Sequence, residues 1–157
     1  MLIDELRHID PLKIAIINDT GSFSYGEILS SATIIQKKIK GLRVGLNVND
    51  VVQGVKIIIA ADNCAKAVAF LSPSIPLDTI KMLMQQFKAD ILLTDHNVSF
   101  KKDGFNAFRK IDETVKDSIQ PIQNHTEWVM STSGTTSSPK LVVHNLKSIQ
   151  RTIRKIP

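Results

Sequence analysis

Short apolar runs alternate with segments of helical periodicity along most of the chain, and this alternation restricts the fold more than any other feature. The runs lie at residues 13–18, 55–60, 89–94, 128–131 and 141–143. Residues 55–60 are almost continuously apolar, which is typical of a central parallel strand covered on both faces. Because helical segments separate most of these runs, we expect an α/β fold with a largely parallel sheet and flanking helices.

The helical segments carry start and stop signals. Ser24 and Glu27 have the spacing of a capping box, and Gly41 follows the basic last turn. We expect Asp62 and Asn63 to cap a helix over residues 64–71, a further helix near residues 77–87, and a last helix beginning at Asn145. Residues 95–125 are polar and irregular, with a weak strand or helix near 107–111. The apolar face predicted for the first long helix comprises Ile28, Ala32, Ile35 and Ile39.

Length and composition favour one globular domain over residues 1–157. The 157 residues are enough to bury a core, and 43% of them are hydrophobic, an ordinary share for such a domain. No apolar run reaches the length of a membrane span, and the N-terminus does not resemble a secretory signal, so we expect a cytoplasmic protein. The single cysteine, Cys64, excludes an internal disulfide and indicates no metal site. A buried structural thiol is the favoured interpretation of Cys64, over a reactive thiol with a lowered pKa.

The net charge of +5 raises the question of an anionic partner. Nucleic acid is the weaker alternative, because the lysines are scattered and aromatic residues form only 5% of the chain. Solvated surface explains most of the charge, and a small anionic ligand can explain the rest. We therefore expect no nucleic-acid partner.

A dense cluster of hydroxyl side chains follows the strand-like segment at residues 128–131. The stretch reads WVMSTSGTTSSPK, and it offers hydroxyls, a glycine that allows close backbone approach, and a terminal lysine. These groups together can hold phosphates. Gly134 and Lys140 have the Walker A spacing, but Pro139 replaces the second glycine and Leu141 replaces the magnesium-binding hydroxyl residue. Because the lysine leads into a strand where a Walker loop would open a helix, a P-loop NTPase is not expected.

The order TSGTT-x-x-PK resembles the phosphate-binding signature of the adenylate-forming superfamily, which includes acyl-CoA and aryl-CoA synthetases, peptide-synthetase adenylation domains and luciferases. Weaker similarities extend upstream: residues 23–28 resemble the segment that opens the first long helix of the family, and residues 89–95 resemble its A-x-x-L-L-T-D strand. Between them, residues 57–59 and 63–71 are matched to a family strand and the helix after it. The matching loop residues are Thr132, Ser133, Gly134, Thr135, Thr136, Pro139 and Lys140.

The resemblance implies the N-terminal part of an enzyme that converts a carboxylate and ATP to acyl-AMP and pyrophosphate, with Mg²⁺, and then transfers the acyl group to a thiol of CoA or a carrier protein. It implies that the loop binds the ATP phosphates and that Lys140 offsets charge on the departing pyrophosphate. His144 stands close to where the family often carries a histidine near the acyl site; a polar residue at a strand end is an equal alternative. The residues implied to bind the phosphates are Thr132, Ser133, Gly134, Thr135, Thr136, Ser137 and Lys140.

Three departures from the family limit these implications. Ser137 and Leu141 replace glycines, a strand expected after Leu71 is not recognised, and the family's downstream catalytic motifs do not occur before Pro157. The sequence therefore predicts an incomplete N-terminal subdomain that does not catalyse the reaction alone. The alternative is a divergent, non-catalytic binding or assembly module that has lost ATP use and pairs with a separate C-terminal half. Uncovered core surface predicts self-association.

Overall fold

A computed structural model describes residues 2–95, 108–109, 125–132 and 139–145. Four helices are present in these ranges: α1 Leu2–Leu6, α2 Tyr25–Ile39, α3 Val51–Ala61 and α4 Leu77–Phe87. The strands are β1 Ile14–Asn18, β2 Gly21–Ser24, β3 Arg43–Asn47, β4 Ala67–Phe70, β5 Ile91–Thr94, β6 Phe108–Arg109, β7 Glu127–Thr132 and β8 Lys140–His144. The expected last helix, beyond Asn145, lies outside the described residues.

The main sheet has six strands in the order β6-β5-β3-β4-β7-β8. All neighbouring pairs run parallel except β7 and β8, which are antiparallel. The predicted α/β class and the largely parallel sheet are therefore confirmed. A separate two-stranded antiparallel sheet is formed by β1 and β2.

Alternate strand residues pack into two layers on opposite faces of the sheet. Val44, Val68 and Trp128 pack with α2 and α3 on one face. Leu92 packs with α4 on the other face. The sheet is thus covered on both sides by helices, as its parallel strands require.

The first long helix follows the sequence prediction closely. The Ser24 hydroxyl accepts from the Glu27 amide, and the Glu27 carboxylate accepts from the Ser24 amide, so both halves of the capping box are present. The helix ends at Ile39, and Gly41 has a positive φ of 72°. All members of the predicted apolar face are buried: Ile28, Ala32, Ile35 and Ile39.

Two element assignments were wrong. Residues 55–60 lie in helix α3, because Asp50 caps that helix by accepting hydrogen bonds from the amides of Val52 and Gln53. A helix was predicted over residues 64–71, but strand β4 lies within this range. Asp62, which was expected to cap the start of that helix, is the C-cap at the end of α3. A continuous apolar run cannot by itself distinguish a buried helix from a central strand.

The second correction also explains why the strand expected after Leu71 was not recognised in the sequence. β4 lies between β3 and β7, where it runs parallel to both. The strand was not recognised after Leu71 because it precedes Leu71, within residues assigned to a helix. Strand β1 belongs to the small sheet beside the core, and 75% of Ile17 is exposed there.

Candidate phosphate-binding site

Strands β7 and β8 hold the two ends of the hydroxyl-rich loop together. Thr132, the last residue of β7, is paired with Lys140, the first residue of β8. The Thr132 hydroxyl donates to the Lys140 carbonyl oxygen at 3.4 Å, and both residues are exposed. The lysine begins a strand as predicted, so this arrangement differs from a Walker loop, which opens a helix.

The sequence-predicted site residues fall into two groups. Thr132 and Lys140 are described, and the pairing of β7 with β8 brings them side by side. Pro139, which directly precedes the lysine, is half-buried. The remaining members of the predicted set lie outside the described residues: Ser133, Gly134, Thr135, Thr136 and Ser137.

The loop ends lie at the carboxyl edge of the parallel sheet. Parallel α/β sheets bind ligands outside the carboxyl ends of their strands, where the connecting loops meet. An ammonium group and hydroxyls at this edge are suitable donors for phosphate oxygens. The position and the donor chemistry therefore both fit a polyphosphate.

Asn47 and Asp95 connect strand ends at the carboxyl edge of the sheet by hydrogen bonds, a role that the sequence did not indicate for either residue. The Asn47 side chain, which is buried, donates to the carbonyl oxygens of Leu71 at 3.3 Å and Ser72 at 2.9 Å. It thereby joins the ends of β3 and β4. The only sequence signal was an amide side chain placed directly after an apolar segment.

Asp95 joins the ends of β5 and β3 in the same way. One of its carboxylate oxygens accepts hydrogen bonds from the amides of Asn49 and Asp50, both at 2.8 Å. These hydrogen bonds give Asp95 a role in holding the loop between β3 and α3.

His144 is at the opposite end of β8 from the loop. It is paired with Trp128, whereas Lys140 is paired with Thr132. At about 3.3 Å per residue, four residues of strand separate the two side chains by roughly 13 Å. Contact of His144 with the same phosphate as Lys140 is not favoured by this placement, and a role for His144 elsewhere in the reaction stays a prediction.

Cys64 lies in the turn after α3, where it is buried. Burial raises the pKa of its thiol, and the nearby charge of Lys40 only partly opposes this effect. The sulfur lies 3.4 Å from the Gln36 carbonyl oxygen. These surroundings are those of a structural thiol, as the sequence favoured.

The part of the chain that the structure describes offers neither a metal-binding cluster nor a helix that could span a membrane. There, no three or more His, Cys, Asp or Glu side chains are grouped so that they could hold a metal ion. Within the same ranges, no helix combines the length and the apolar character needed to cross a bilayer.

The fold matches solved structures over almost the whole chain. The MenE o-succinylbenzoate CoA synthetase of Bacillus subtilis, in complex with AMP, superposes with a TM-score of 0.73 at 17% identity, covering 93% of this chain and 42% of that one. The same enzyme with ATP and magnesium gives 0.71 at 14% identity, covering 99% and 48%. The NpsA N-terminal subdomain of Klebsiella oxytoca, in complex with 3-hydroxybenzoyl-AMSN, gives 0.73 at 19% identity, covering 96% and 41%.

Sequence comparison gives fewer and weaker matches than structural comparison. No protein-family model matches the chain. The aldehyde reductase lnaA of Aspergillus flavus is 24% identical over 170 residues, which cover 95% of this chain and 16% of that protein. The chain thus spans less than half of each of these structures and about a sixth of this curated protein. What the superpositions do establish is the architecture: the chain has the fold of the NpsA N-terminal subdomain and of the matched part of the MenE synthetase.

Proposed function

We propose that this chain is the ATP-phosphate-binding portion of an adenylate-forming ligase. The observation that carries the proposal is the pairing of Thr132 with Lys140 at the carboxyl edge of the sheet, with the signature TSGTT-x-x-PK across the connection. The shared fold supports it, and the MenE structures described above are complexes with AMP and with ATP. The proposed reaction joins a carboxylate to AMP.

In this reaction, a carboxylate oxygen of the acid attacks the α-phosphorus of ATP, and the bond to the bridging oxygen breaks. Acyl-AMP forms and pyrophosphate leaves with the additional negative charge. Lys140 offsets that charge, and Thr132 with the loop hydroxyls orients the phosphates by hydrogen bonds. Such catalysis is positional and electrostatic, which suits a reaction whose leaving group carries the charge. Mg²⁺ bound to ATP would neutralise part of the phosphate charge, beside Lys140.

The domain and its partners are part of the same proposal. Residues 1–157 form a single N-terminal subdomain that is not catalytic alone. Adenylation then requires the segments that are present in the longer matched structures, of which this chain spans 37–48%. In the complete enzyme, the acyl group passes to a thiol of CoA or of a carrier protein.

Calorimetric titration with Mg·ATP, and separately with pyrophosphate, tests the proposal. We expect saturable binding that Lys140→Ala weakens about 10- to 100-fold, because hydrogen bonds to charged groups contribute about 1.5–3 kcal/mol. Lys66→Ala is the matched control: it removes the same charge from an exposed residue just before β4, at the amino edge of the sheet. Absence of binding, or an equal loss in both variants, would contradict the proposal.

A second candidate is a non-catalytic assembly module. It is favoured by strand β8, which exposes 61% of Val143 and is the outermost strand of the sheet among the described residues. This function predicts no measurable Mg·ATP binding together with a stable complex with a polypeptide carrying the remainder of the fold. Size-exclusion chromatography with light scattering would separate it from the first candidate.

A further inference from the structure

The end of β4 lies beside the end of β7, where the hydroxyl-rich loop begins. Phe70 and Met130 are the last paired residues of these two parallel strands. Ser72 follows Phe70 by two residues, and Thr132 follows Met130 by two residues. Because neighbouring strands lie about 4.8 Å apart, the register places Ser72 roughly one strand spacing from Thr132.

The chain keeps the direction of β4 up to Ser72. One residue after the end of β4, the Leu71 amide donates to the Leu46 carbonyl oxygen of β3 at 2.9 Å. The buried Asn47 side chain then donates to the carbonyl oxygens of Leu71 and Ser72. These hydrogen bonds hold the backbone of Ser72 at the carboxyl edge of the sheet, before the chain turns towards α4.

Side-chain alternation places Ser72 and Thr132 on the same face of the sheet. Phe70 and Trp128 stack at 5.9 Å between ring centroids, on the face that α2 and α3 cover. Ser72 is two residues beyond Phe70, and Thr132 is four beyond Trp128, so both return to that face. Lys140 shares the face because it is paired directly with Thr132. The carboxyl edge therefore carries a row of three polar side chains on three adjacent strands.

The Ser72 hydroxyl is exposed, and its own loop orients it. Ser72 Oγ lies 2.8 Å from Ser74 Oγ and accepts from the Ser74 amide at 3.4 Å. A serine hydroxyl donates once and accepts twice. When the Ser74 hydroxyl is the donor of the pair, the Ser72 hydrogen is therefore available to a further acceptor, and a phosphate oxygen is a strong one.

The carboxylates after β3 and β5 limit where a polyphosphate can lie on this edge. Asp50 follows β3 and Asp95 follows β5, and the amides of Asn49 and Asp50 already donate to Asp95. An anion at that part of the edge meets like charges and gains no donor from those amides. The favourable part is the neighbourhood of Lys140, on β7, β8 and the end of β4.

We propose that Ser72 is a further phosphate-binding residue, whose hydroxyl donates to the same polyphosphate as Thr132 and Lys140. The inference rests on the proposed function, and it adds the connection between β4 and α4 to that site. The phosphates are then contacted from both sides of β7, by Lys140 on β8 and by Ser72 after β4.

Calorimetric titration of Ser72→Ala with Mg·ATP, and separately with pyrophosphate, tests the inference. We expect both ligands to bind about tenfold more weakly, because a hydrogen bond to a charged oxygen is lost. Ser72→Thr retains the hydroxyl and should bind like the unaltered protein. Circular dichroism establishes that each variant is folded, and if Ser72→Ala is not, Ser72→Cys replaces it, since a thiol is a weak donor of similar size.

Ser131→Ala is the matched control. It removes a hydroxyl from the residue before Thr132, but Ser131 is paired with Leu141, which packs on the face that α4 covers. Its hydroxyl thus lies on the opposite face from Lys140, and binding should be unchanged.

The outcomes separate this inference from the proposed function. If Lys140→Ala weakens binding and Ser72→Ala does not, the role of Ser72 is overturned and the phosphate loop stands. An equal loss in Ser131→Ala, or no recovery in Ser72→Thr, would also overturn the role of Ser72. If the unaltered protein binds neither ligand, the proposed function fails, and this inference fails with it.

Discussion

At the scale of single residues, the capping box at Ser24 couples stability to pH. The Glu27 carboxylate accepts from the Ser24 amide at 2.8 Å and from its hydroxyl at 2.9 Å. The amide hydrogen bond is the main cause of the lowered pKa of Glu27, followed by the hydroxyl hydrogen bond. A depressed pKa means that the folded state favours the charged form.

The stabilising contribution of Glu27 is thus fully present above its ordinary pKa of about 4.3, and it declines as the pH falls through the lowered value. We expect the stability difference between the unaltered protein and Glu27→Gln to shrink as the pH falls from about 5 to about 3. Urea unfolding at several pH values measures this difference. A constant difference across that range would contradict the prediction.

The buried hydroxyl of Thr126 links the residue before β7 to the end of α3 and the turn after it by hydrogen bonds. Thr126 Oγ1 lies 2.7 Å from the Ala61 carbonyl oxygen and 2.8 Å from that of Ala65. We expect Thr126→Val to lower the free energy of unfolding by about 1 kcal/mol, the usual net contribution of such a hydrogen bond. Thr33→Val is the control, because the hydrogen bond that it removes, from the Thr33 hydroxyl to the Leu29 carbonyl oxygen at 2.8 Å, lies within one helix. A smaller loss in chemical denaturation is expected for this control, and equal losses would show that Thr126 has no special role.

At the scale of elements, local signals were sufficient where they were unambiguous. The Ser24–Glu27 box and the helical spacing from Ile28 to Ile39 predicted α2, and both depend on residues close in sequence. Residues 55–60 were assigned to a strand, but an apolar run that only Lys56 interrupts fits either a central strand or a buried helix. The deciding contact, the cap from Asp50, lies before the run.

The close approach of α4 to β3 gives an element-scale prediction. A β-carbon on Gly45 would overlap the sulfur and terminal methyl of Met84. We expect Gly45→Val to lower the free energy of unfolding by about 1–3 kcal/mol through overpacking. Combined with Met84→Ala, which vacates that space, the loss should be smaller than the sum of the two single losses. Strictly additive values in a double-mutant cycle would contradict direct packing between these elements.

At the scale of the whole molecule, the candidate site was predicted only in part. Thr132 and Lys140 were identified because their motif is contiguous. The roles of Asn47 and Asp95 were not, because their partners lie 24 or more residues away in the sequence. Those contacts exist only once β3, β4 and β5 are assembled side by side, in an order that no local pattern encodes.

Strand β8 is the part of the molecule at which we expect contact with a second chain. Val142 is 38% exposed and Val143 is 61% exposed on this strand, which pairs on one side with β7 and has no second strand partner among the described residues. Outer strands that expose apolar side chains favour pairing with another chain. We therefore expect concentration-dependent association through β8.

Light scattering across a concentration series of Val143→Lys measures this association. The added charge should shift the protein towards the monomer, because a lysine on an edge strand disfavours further strand pairing. Ile34→Lys is the matched control, since Ile34 is 58% exposed but lies on helix α2, away from the sheet edge. It adds the same charge and should leave association unchanged. Equal effects of both variants would attribute association to net charge, and a monomer at every concentration in the unaltered protein would remove β8 as an interface.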